Sequence, residues 1–375
     1  MIIRSLELRN FRNYHSLDIE FHPNTNVLYG DNAQGKTNIL ESVYVSGTTK
    51  SHKGSKDKEM IQIGAQESHI RMYVEKNEIV HKIDMHLKRG KGKGIAIDGI
   101  PIKRSTELLG LLHIIFFSPE DLTIIKNGPG ERRRFLNMEL SQLDKVYVHH
   151  LTEYNKILAN RNKLLKQIYH DTSLLSTLDI WDKQLCQYGK KIIEVRSQFI
   201  EELKEIVEKT HYQLSGGREN LAMHYEPDVE VEEYENALLK SRDRDLATFM
   251  TNTGPHRDDI SFLIGDIDIR RFGSQGQQRT CALSLKLSEI TLVKRKIKQT
   301  PVLLLDDVMS ELDRNRQNYL LENIHDIQTI ITCTGLEEFI DKNMIIDTVY
   351  HVENGCVRKK EMPQRKIEMK EEAQE

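Results

Sequence analysis

Three short segments carry residue types whose spacing could do chemistry. Gly30-Asp31-Asn32-Ala33-Gln34-Gly35-Lys36-Thr37 matches GxxxxGK[ST] in full, and Asn38 follows it. In this pattern the glycines let backbone N–H groups wrap a chain of phosphates, and the N-terminus of the next helix adds a favourable dipole. Lys36 would reach the β- and γ-phosphates, and the Thr37 hydroxyl would ligate Mg2+. Far downstream, Pro301-Val302-Leu303-Leu304-Leu305-Asp306-Asp307 reads as a buried strand ending in two carboxylates. Asp306 is suited to hold the metal and Asp307 to orient or deprotonate an attacking water. An apolar strand before Asp-Asp is common by itself. Its long separation from the phosphate loop speaks against compact kinases and GTPases. Third, Phe272-Gly273-Ser274-Gln275-Gly276-Gln277-Gln278-Arg279-Thr280 offers N–H groups and a Ser274 hydroxyl to an anion at a helix start. Alone it reads as a capping loop.

The elements that must position these residues follow from periodicity. Strands are expected at Ile2–Leu8, Ser16–Phe21 and Asn26–Leu28, the last running into the phosphate loop, with a helix over Asn38–Tyr44. From His69 to Ile102 apolar and polar residues alternate between glycine breaks, which predicts an antiparallel sheet with a basic hairpin at Lys88–Lys93. Leu111–Phe117 reads as a buried strand, and Ser118-Pro119-Glu120-Asp121 as a helix start. Beyond Glu131 the texture becomes helical. Leu178, Trp181, Leu185, Tyr188, Ile192, Val195 and Phe199 keep a 3-4 spacing, with an upstream partner at Leu151, Tyr154, Leu158, Leu165 and Ile168. Asp171-Thr172-Ser173 would let the two fold back on each other. Strands return at Leu221–His224, Asp259–Phe262, Asp266–Ile269, Val302–Leu305, Thr329–Thr332 and Thr348–Val352, with helices over Gln278–Lys294 and Asn315–Ile324.

The 375 residues suggest two domains, or one with a large insertion. A 38% apolar fraction suffices for a core, and 30% charged residues with no long apolar run exclude a membrane span. The N-terminus alternates like a strand and lacks signal-peptide regions, so a cytoplasmic location is expected. Cys186, Cys281, Cys333 and Cys356 are scattered without metal or disulfide spacing. Net charge is −3, yet Lys50, Lys53, Lys56 and Lys58 form one basic cluster and Lys88, Arg89, Lys91, Lys93, Lys103 and Arg104 another. Such patches either bind a phosphate backbone or are ordinary solvated loops.

The order of phosphate loop, Ser-x-Gly-Gln loop and Asp-Asp strand resembles Walker A, signature and Walker B of ABC-type ATPases, with Ser310-Glu311-Leu312-Asp313 in the D-loop place. Other segments narrow the resemblance: Leu8-Arg9-Asn10-Phe11-Arg12-Asn13-Tyr14, Ser51-His52-Lys53, Phe116-Phe117-Ser118-Pro119-Glu120-Asp121-Leu122, Arg132-Arg133-Arg134-Phe135-Leu136, Arg161-Asn162 and Thr253-Gly254-Pro255-His256-Arg257-Asp258-Asp259. Together they resemble the RecF family of DNA-repair proteins over all but the polar end.

That resemblance implies an α/β fold, an ABC/SMC-type P-loop ATPase head with an inserted helical lobe, a short antiparallel coiled coil. The head would comprise residues 1–135 and 246–357, the lobe 136–245, and a polar, disordered tail 358–375. ATP and Mg2+ are the implied cofactors. Gly30 to Asn38 with Arg12 would bind ATP, Thr37 and Asp306 the metal, and Lys36, Asp306 and Asp307 would serve catalysis. Ser274, Gln275, Gly276 and Gln277 would complete the site of a second subunit in an ATP-dependent homodimer, with Ser310 and Asp313 in the D-loop. Hydrolysis, slow and DNA-stimulated, would release the dimer. Double-stranded and gapped DNA, RecR and RecO are the implied partners, acting together to load RecA. Lys53, Lys56, Lys88, Arg89, Lys91 and Lys93 are the candidate DNA contacts.

This sequence departs from the wider pattern in places. Asp307 stands where most ABC proteins carry Glu, and Ile330-Ile331-Thr332-Cys333-Thr334 has no switch histidine, leaving Thr332 and Thr334 as candidates. No residue stands out as the Q-loop glutamine, and Lys53 takes a place expected for Arg. Arg132-Arg133-Arg134 reads as interface or as charges paired within a helix, and His256-Arg257-Asp258-Asp259 as a turn of paired charges more than an acid–base site. A transport ATPase subunit would share the three loops but calls for a membrane partner. A chromosome-binding protein that never turns ATP over would not need both Asp306 and Asp307.

Overall fold

The computed structural model describes residues 1–336 and 346–360. The chain opens with β1 (Ile2–Phe11), β2 (Tyr14–Glu20) and β3 (Thr25–Tyr29), then α1 (Lys36–Thr48) and a single turn, α2 (Asp57–Met60). The alternating segment forms β4 (Glu67–Lys76), β5 (Ile79–Lys88), β6 (Gly94–Ile97) and β7 (Ile100–Pro101). These join β1 and β2 in an antiparallel sheet of order β2-β1-β4-β5-β6-β7. The period of two puts Ile70, Met72 and Val74 of β4 and Ile83, Met85 and Leu87 of β5 in the core. The expected basic turn joins β5 to β6.

β8 (Ile114–Phe117) is shorter than the Leu111–Phe117 run, whose first three residues make no strand pairing. Four helices follow: α3 (Leu122–Lys126), α4 (Pro129–Leu143), α5 (Lys145–Ile168) and α6 (Leu178–Leu214). α5 and α6 fold back on one another across a turn at Thr172–Thr177. Leu178, Leu185, Ile192 and Phe199 are buried, and Trp181, Tyr188 and Val195 pack at the margin of the same seam. α6 runs well past the seam because Leu203, Ile206 and Val207 continue its apolar stripe.

β9 (Leu221–Glu226), α7 (Tyr234–Thr248), β10 (Asp259–Ile264), β11 (Ile267–Asp268), α8 (Ile269–Phe272) and α9 (Gln275–Ile297) come next. β12 (Val302–Asp306), α10 (Arg314–Ile324), β13 (Thr329–Cys333), β14 (Thr348–Glu353) and β15 (Cys356–Lys360) complete the described chain. A second sheet, of order β15-β14-β3-β13-β12-β8, draws strands from both ends of the sequence and is parallel except at β15. Its central strands β12 and β13 are buried at every residue, as expected of a parallel sheet covered on both faces. α1 and the antiparallel sheet cover one face, and α9 and α10 the other. A small sheet of order β11-β10-β9 packs into the core of the helical region.

β15 was not expected. Arg358–Lys360, predicted as the start of a polar, disordered tail, complete it as strand. Residues 361–375 lie outside the described residues, and with them the expectation of disorder.

Candidate nucleotide site

The phosphate loop leaves the C-terminal end of β3 and enters α1, where parallel-sheet ligand sites form. Its shape depends on two glycines. Gly30 sits at φ 150° and Gly35 at φ 116°, where a side chain is strained. A Cβ on Gly30 would lie 2.2 Å from the Val352 carbonyl oxygen, and one on Gly35 2.5 Å from Asn13 Nδ2. Neither position has room for a side chain. Lys36 Nζ curls over it and donates to the carbonyls of Gly30 (2.7 Å) and Asp31 (3.0 Å). A buried ammonium satisfied only by neutral carbonyls is well placed to exchange them for phosphate oxygens.

Opposite the loop, β12 delivers its carboxylates. Thr37 Oγ1 donates to Asp306 Oδ1 at 2.8 Å, joining the two motifs directly. Thr332 on β13, in register with Asp306, also donates to Oδ1 (2.8 Å), and its hydroxyl accepts from the Asp307 amide (3.0 Å). Burial raises the Asp306 pKa above the usual carboxylate value, and the charge of Asp307 adds to this. The Thr332 and Thr37 hydroxyls and the charge of Lys53 pull it back. A dication beside Asp306 would relieve the cost of keeping it charged. Asp307 adopts φ 51°, turning the chain sharply out of the sheet. Of the two threonines considered for the switch position, Thr332 is fully buried and committed to Asp306, while Thr334 is exposed.

Two braces that the sequence reading missed hold the loop. Asn13 donates through Nδ2 to the Gln34 carbonyl (3.0 Å) and accepts from Asn38 Nδ2 (2.8 Å). From the other end of the chain, the Asn354-Gly355 turn joining β14 and β15 donates its amides to Gln34. Asn-Gly directly after the apolar strand β14 was the signal that could have revealed this hairpin.

Arg12, expected among the nucleotide ligands, forms a fork with Glu41: Nε and Nη2 each lie 2.7 Å from a carboxylate oxygen. It also donates to Ser55 Oγ and the Glu59 carbonyl. Burial pushes the Glu41 carboxyl up, but Arg12 and the Ser51 hydroxyl outweigh it and leave the pKa lowered. The ring of His52 stacks on Phe116 with centroids 4.1 Å apart, and burial lowers its pKa to about 4. The neutral imidazole thus serves as an aromatic wedge. Arg12, Asn13, Asn38 and Lys53 line one open cleft of about 650 Å³. Lys53 therefore sits on the phosphate-loop side.

The remaining candidate DNA contacts separate by environment. Lys56, Lys88, Arg89 and Lys91 are exposed, Lys88 being 3.3 Å from Glu67. Lys93 is half-buried, paired with Asp57 at 2.8 Å and donating to the Thr49 carbonyl, so it ties the β5–β6 turn to the segment after α1.

The signature segment differs locally from expectation. α9 begins at Gln275, not Gln278, because Ser274 and Gln277 form a capping box: Ser274 Oγ accepts from the Gln277 amide (3.2 Å), and Gln277 Oε1 from the Ser274 amide (2.9 Å). Ser274, Gln275 and Gly276 are exposed on this first turn, and among the described residues no hydrogen bond joins them to the phosphate loop. The D-loop candidates are local braces here. Ser310 Oγ donates to the Asp307 carbonyl (2.9 Å), and Asp313 caps α10 and pairs with Arg316 (2.7 Å), which reaches Thr280 on α9.

The arginine run and the His-Arg-Asp-Asp turn meet as a structural network. Arg132 is buried, forks onto Asp259 (2.5 and 3.0 Å) and donates to the carbonyls of Ile124 and Asn127. Arg133 donates to the Asp258 carbonyl and Arg134 to that of His52. The Asp258 carboxylate is fully buried and accepts from Arg196 (2.6 Å), Tyr225 and the Asp228 amide. His256 is held between Tyr154 and the Thr251 carbonyl, and Arg161 joins Asp182, Asp245 and Thr251. Every charge in the turn is partnered within the helical region, away from the phosphate loop.

Residues 2–358 match the RecF/RecN/SMC N-terminal domain family. The chain is 59% identical over 357 residues to the DNA replication and repair protein RecF of Agathobacter rectalis, covering 95% of this chain and 99% of that protein. It is likewise 59% identical to the same-named protein of Lachnoclostridium phytofermentans, over 96% of this chain and all of the relative. Among solved structures, the recombination mediator protein RecF with ATP, of the RecFOR pathway, superposes with a TM-score of 0.90 at 37% identity, covering 96% of this chain and 98% of that one. An Smc head bound to part of ScpA matches with a TM-score of 0.58 at 16% identity, a likeness of fold alone. Near-complete coverage, high identity and a shared ATPase-head fold together show that the chain belongs to the RecF family of DNA replication and repair proteins.

Proposed function

We propose that this protein is an ATP-dependent, DNA-binding recombination and repair protein that closes as a head-to-head dimer on double-stranded DNA beside single-strand gaps. It acts with RecO and RecR in loading RecA, and slow DNA-stimulated hydrolysis of ATP releases it. One observation supports this most. The phosphate loop and the Thr37–Asp306 pair converge at one sheet end, whereas Ser274–Gly276 stand exposed on a helix start elsewhere. A site with its signature turned outward suits completion by a second copy. The RecF structure named with ATP supports the nucleotide, and its naming within the RecFOR pathway supports the partners.

The donor set fits Mg-ATP. Lys36 has only carbonyls to surrender to the phosphates, and Thr37 with Asp306 offers hard oxygens to Mg2+. Bound Mg2+ would supply charge neutralisation on the phosphate oxygens. The protein's part is positional. Gly30 to Asn38 hold the phosphates, Thr332 fixes the Asp306 carboxylate, and Asp307 accepts a proton from, or orients, the attacking water. Arg12 organises the cleft beside the phosphate loop through its fork with Glu41. Lys56, Lys88, Arg89 and Lys91 supply exposed charge for the DNA backbone, while Lys53 serves the nucleotide side. The head comprises residues 1–135 and 246–357 and the helical lobe 136–245.

Binding to gapped double-stranded DNA at moderate salt, with and without Mg-ATP, tests the reading. Wild-type protein should bind more tightly with Mg-ATP. The Lys36→Arg variant should keep some ATP binding but lose hydrolysis. Absence of DNA binding in both conditions would sink the repair assignment.

A further inference from the structure

The outer face of the antiparallel sheet carries a cluster that the nucleotide site does not use. His69 on β4 and His86 on β5 are direct cross-strand partners, and Glu67 lies two residues before His69 on the same face. The two imidazoles stack with centroids 4.1 Å apart and planes within 13°. His86 Nε2 is 3.1 Å from one Glu67 oxygen, and His69 Nε2 is 4.0 Å from the other. One ligand atom from each of the three residues falls within a span of 4.8 Å. Opposite His86 on β6 stands Gly94, so no side chain covers the rings from that strand. A cleft of about 480 Å³ opens over them.

We propose that Glu67, His69 and His86 form a binding site for a borderline divalent transition metal such as Zn2+. Two imidazole nitrogens and one carboxylate are a donor set that such ions favour over Mg2+ or Ca2+. Tetrahedral coordination at bond lengths of about 2.0–2.1 Å puts ligand atoms roughly 3.3 Å apart. The His86–Glu67 separation already meets this. The His69 distance closes by a small side-chain rotation, which its half-exposed position permits. The sheet fixes the ligand backbones, because a one-residue slip of β5 against β4 would put His86 on the face opposite Glu67 and His69. Water fills the remaining position, which makes the site open to exchange. Lys88, 3.3 Å from Glu67, is the local competitor for the carboxylate. Metal binding therefore frees that lysine at the edge of the basic turn.

The test is titration of the full-length protein with Zn2+ against a chromophoric chelator, in excess Mg2+ to saturate all-oxygen sites. Co2+ substitution provides a visible spectrum. The expected result is one Zn2+ per chain and a d–d absorption band in the Co2+ form. His69→Ala and His86→Ala should each weaken binding by roughly tenfold or more, and Glu67→Gln should weaken it too. The double variant H69A/H86A should show neither Zn2+ retention nor the band, while circular dichroism confirms that it is folded. Equal metal binding by wild type and double variant, or no competition with the chelator by wild type, would overturn the proposal.

Discussion

Asp258 provides a sharp separation between structural and catalytic readings of the His-Arg-Asp-Asp turn. Its carboxylate is fully buried and receives Arg196, Tyr225 and the Asp228 amide, while Arg196 is itself only 2% exposed. Replacing Asp258 with Ala leaves a buried guanidinium without its counter-charge and two further donors without an acceptor. Breaking one side of such a pair costs about 3–5 kcal/mol. That is a large part of the ~5–15 kcal/mol by which domains are stable. Asp258→Asn removes the same charge but keeps one acceptor oxygen, enough for the Asp228 amide or for the Tyr225 and Arg196 donors but not for both sides, so it should cost less than Ala. Urea denaturation followed by circular dichroism measures both, and ATP affinity is read on the folded fraction. The expected outcome is Ala worse than Asn, with ATP affinity unchanged wherever the protein is folded. An Asp258→Ala variant within ~1 kcal/mol of the parent would refute the buried-pair argument. A stable variant that binds ATP but has lost hydrolysis would return the turn to catalysis.

Glu139, buried near Lys286 and Asp121, has its pKa raised to about 7, mainly by burial. A carboxyl raised in the folded state takes up protons there first, so its contribution to stability declines as pH rises from about 4.5 to about 7. Glu139→Gln should flatten thermal stability across that window, and an unchanged pH profile would contradict this. In the basic turn, Lys91→Ala should weaken DNA binding evenly across sequences and lower the salt slope by roughly one. Lys93→Ala should instead loosen the turn through loss of its Asp57 pair, seen as faster proteolysis between β5 and β6. Equal behaviour of the two variants in both assays would remove the distinction.

The sequence was most informative where structure is local. The phosphate loop, the Asp-Asp strand and the heptad seam each depend on spacing within one element, and all were readable. What was hidden depends on distant partners. Nothing near Thr332 announces that its hydroxyl fixes Asp306, and nothing near Arg196 announces Asp258, because such pairs exist only after the sheets form. Other misses were readable in hindsight. Ser274-x-x-Gln277 is a capping pattern that moves the start of α9 to Gln275, but the glycine at 276 suggested loop. Asn354-Gly355 is a hairpin-turn pattern, but the polarity of Arg358-Lys359-Lys360 hid a strand whose side chains are mostly exposed.

In the proposed dimer the signature turn at Ser274 completes a second subunit's site. Its most direct test is the mass of the Ser274→Arg variant with Mg-ATP, by light scattering or sedimentation. Ser274 caps α9, so the substitution should cost ~1 kcal/mol of stability, too little to unfold the chain. Wild type should become a dimer with Mg-ATP, while Ser274→Arg should bind ATP with near-normal affinity and stay monomeric. A Ser274→Arg protein that still dimerises with ATP would contradict it.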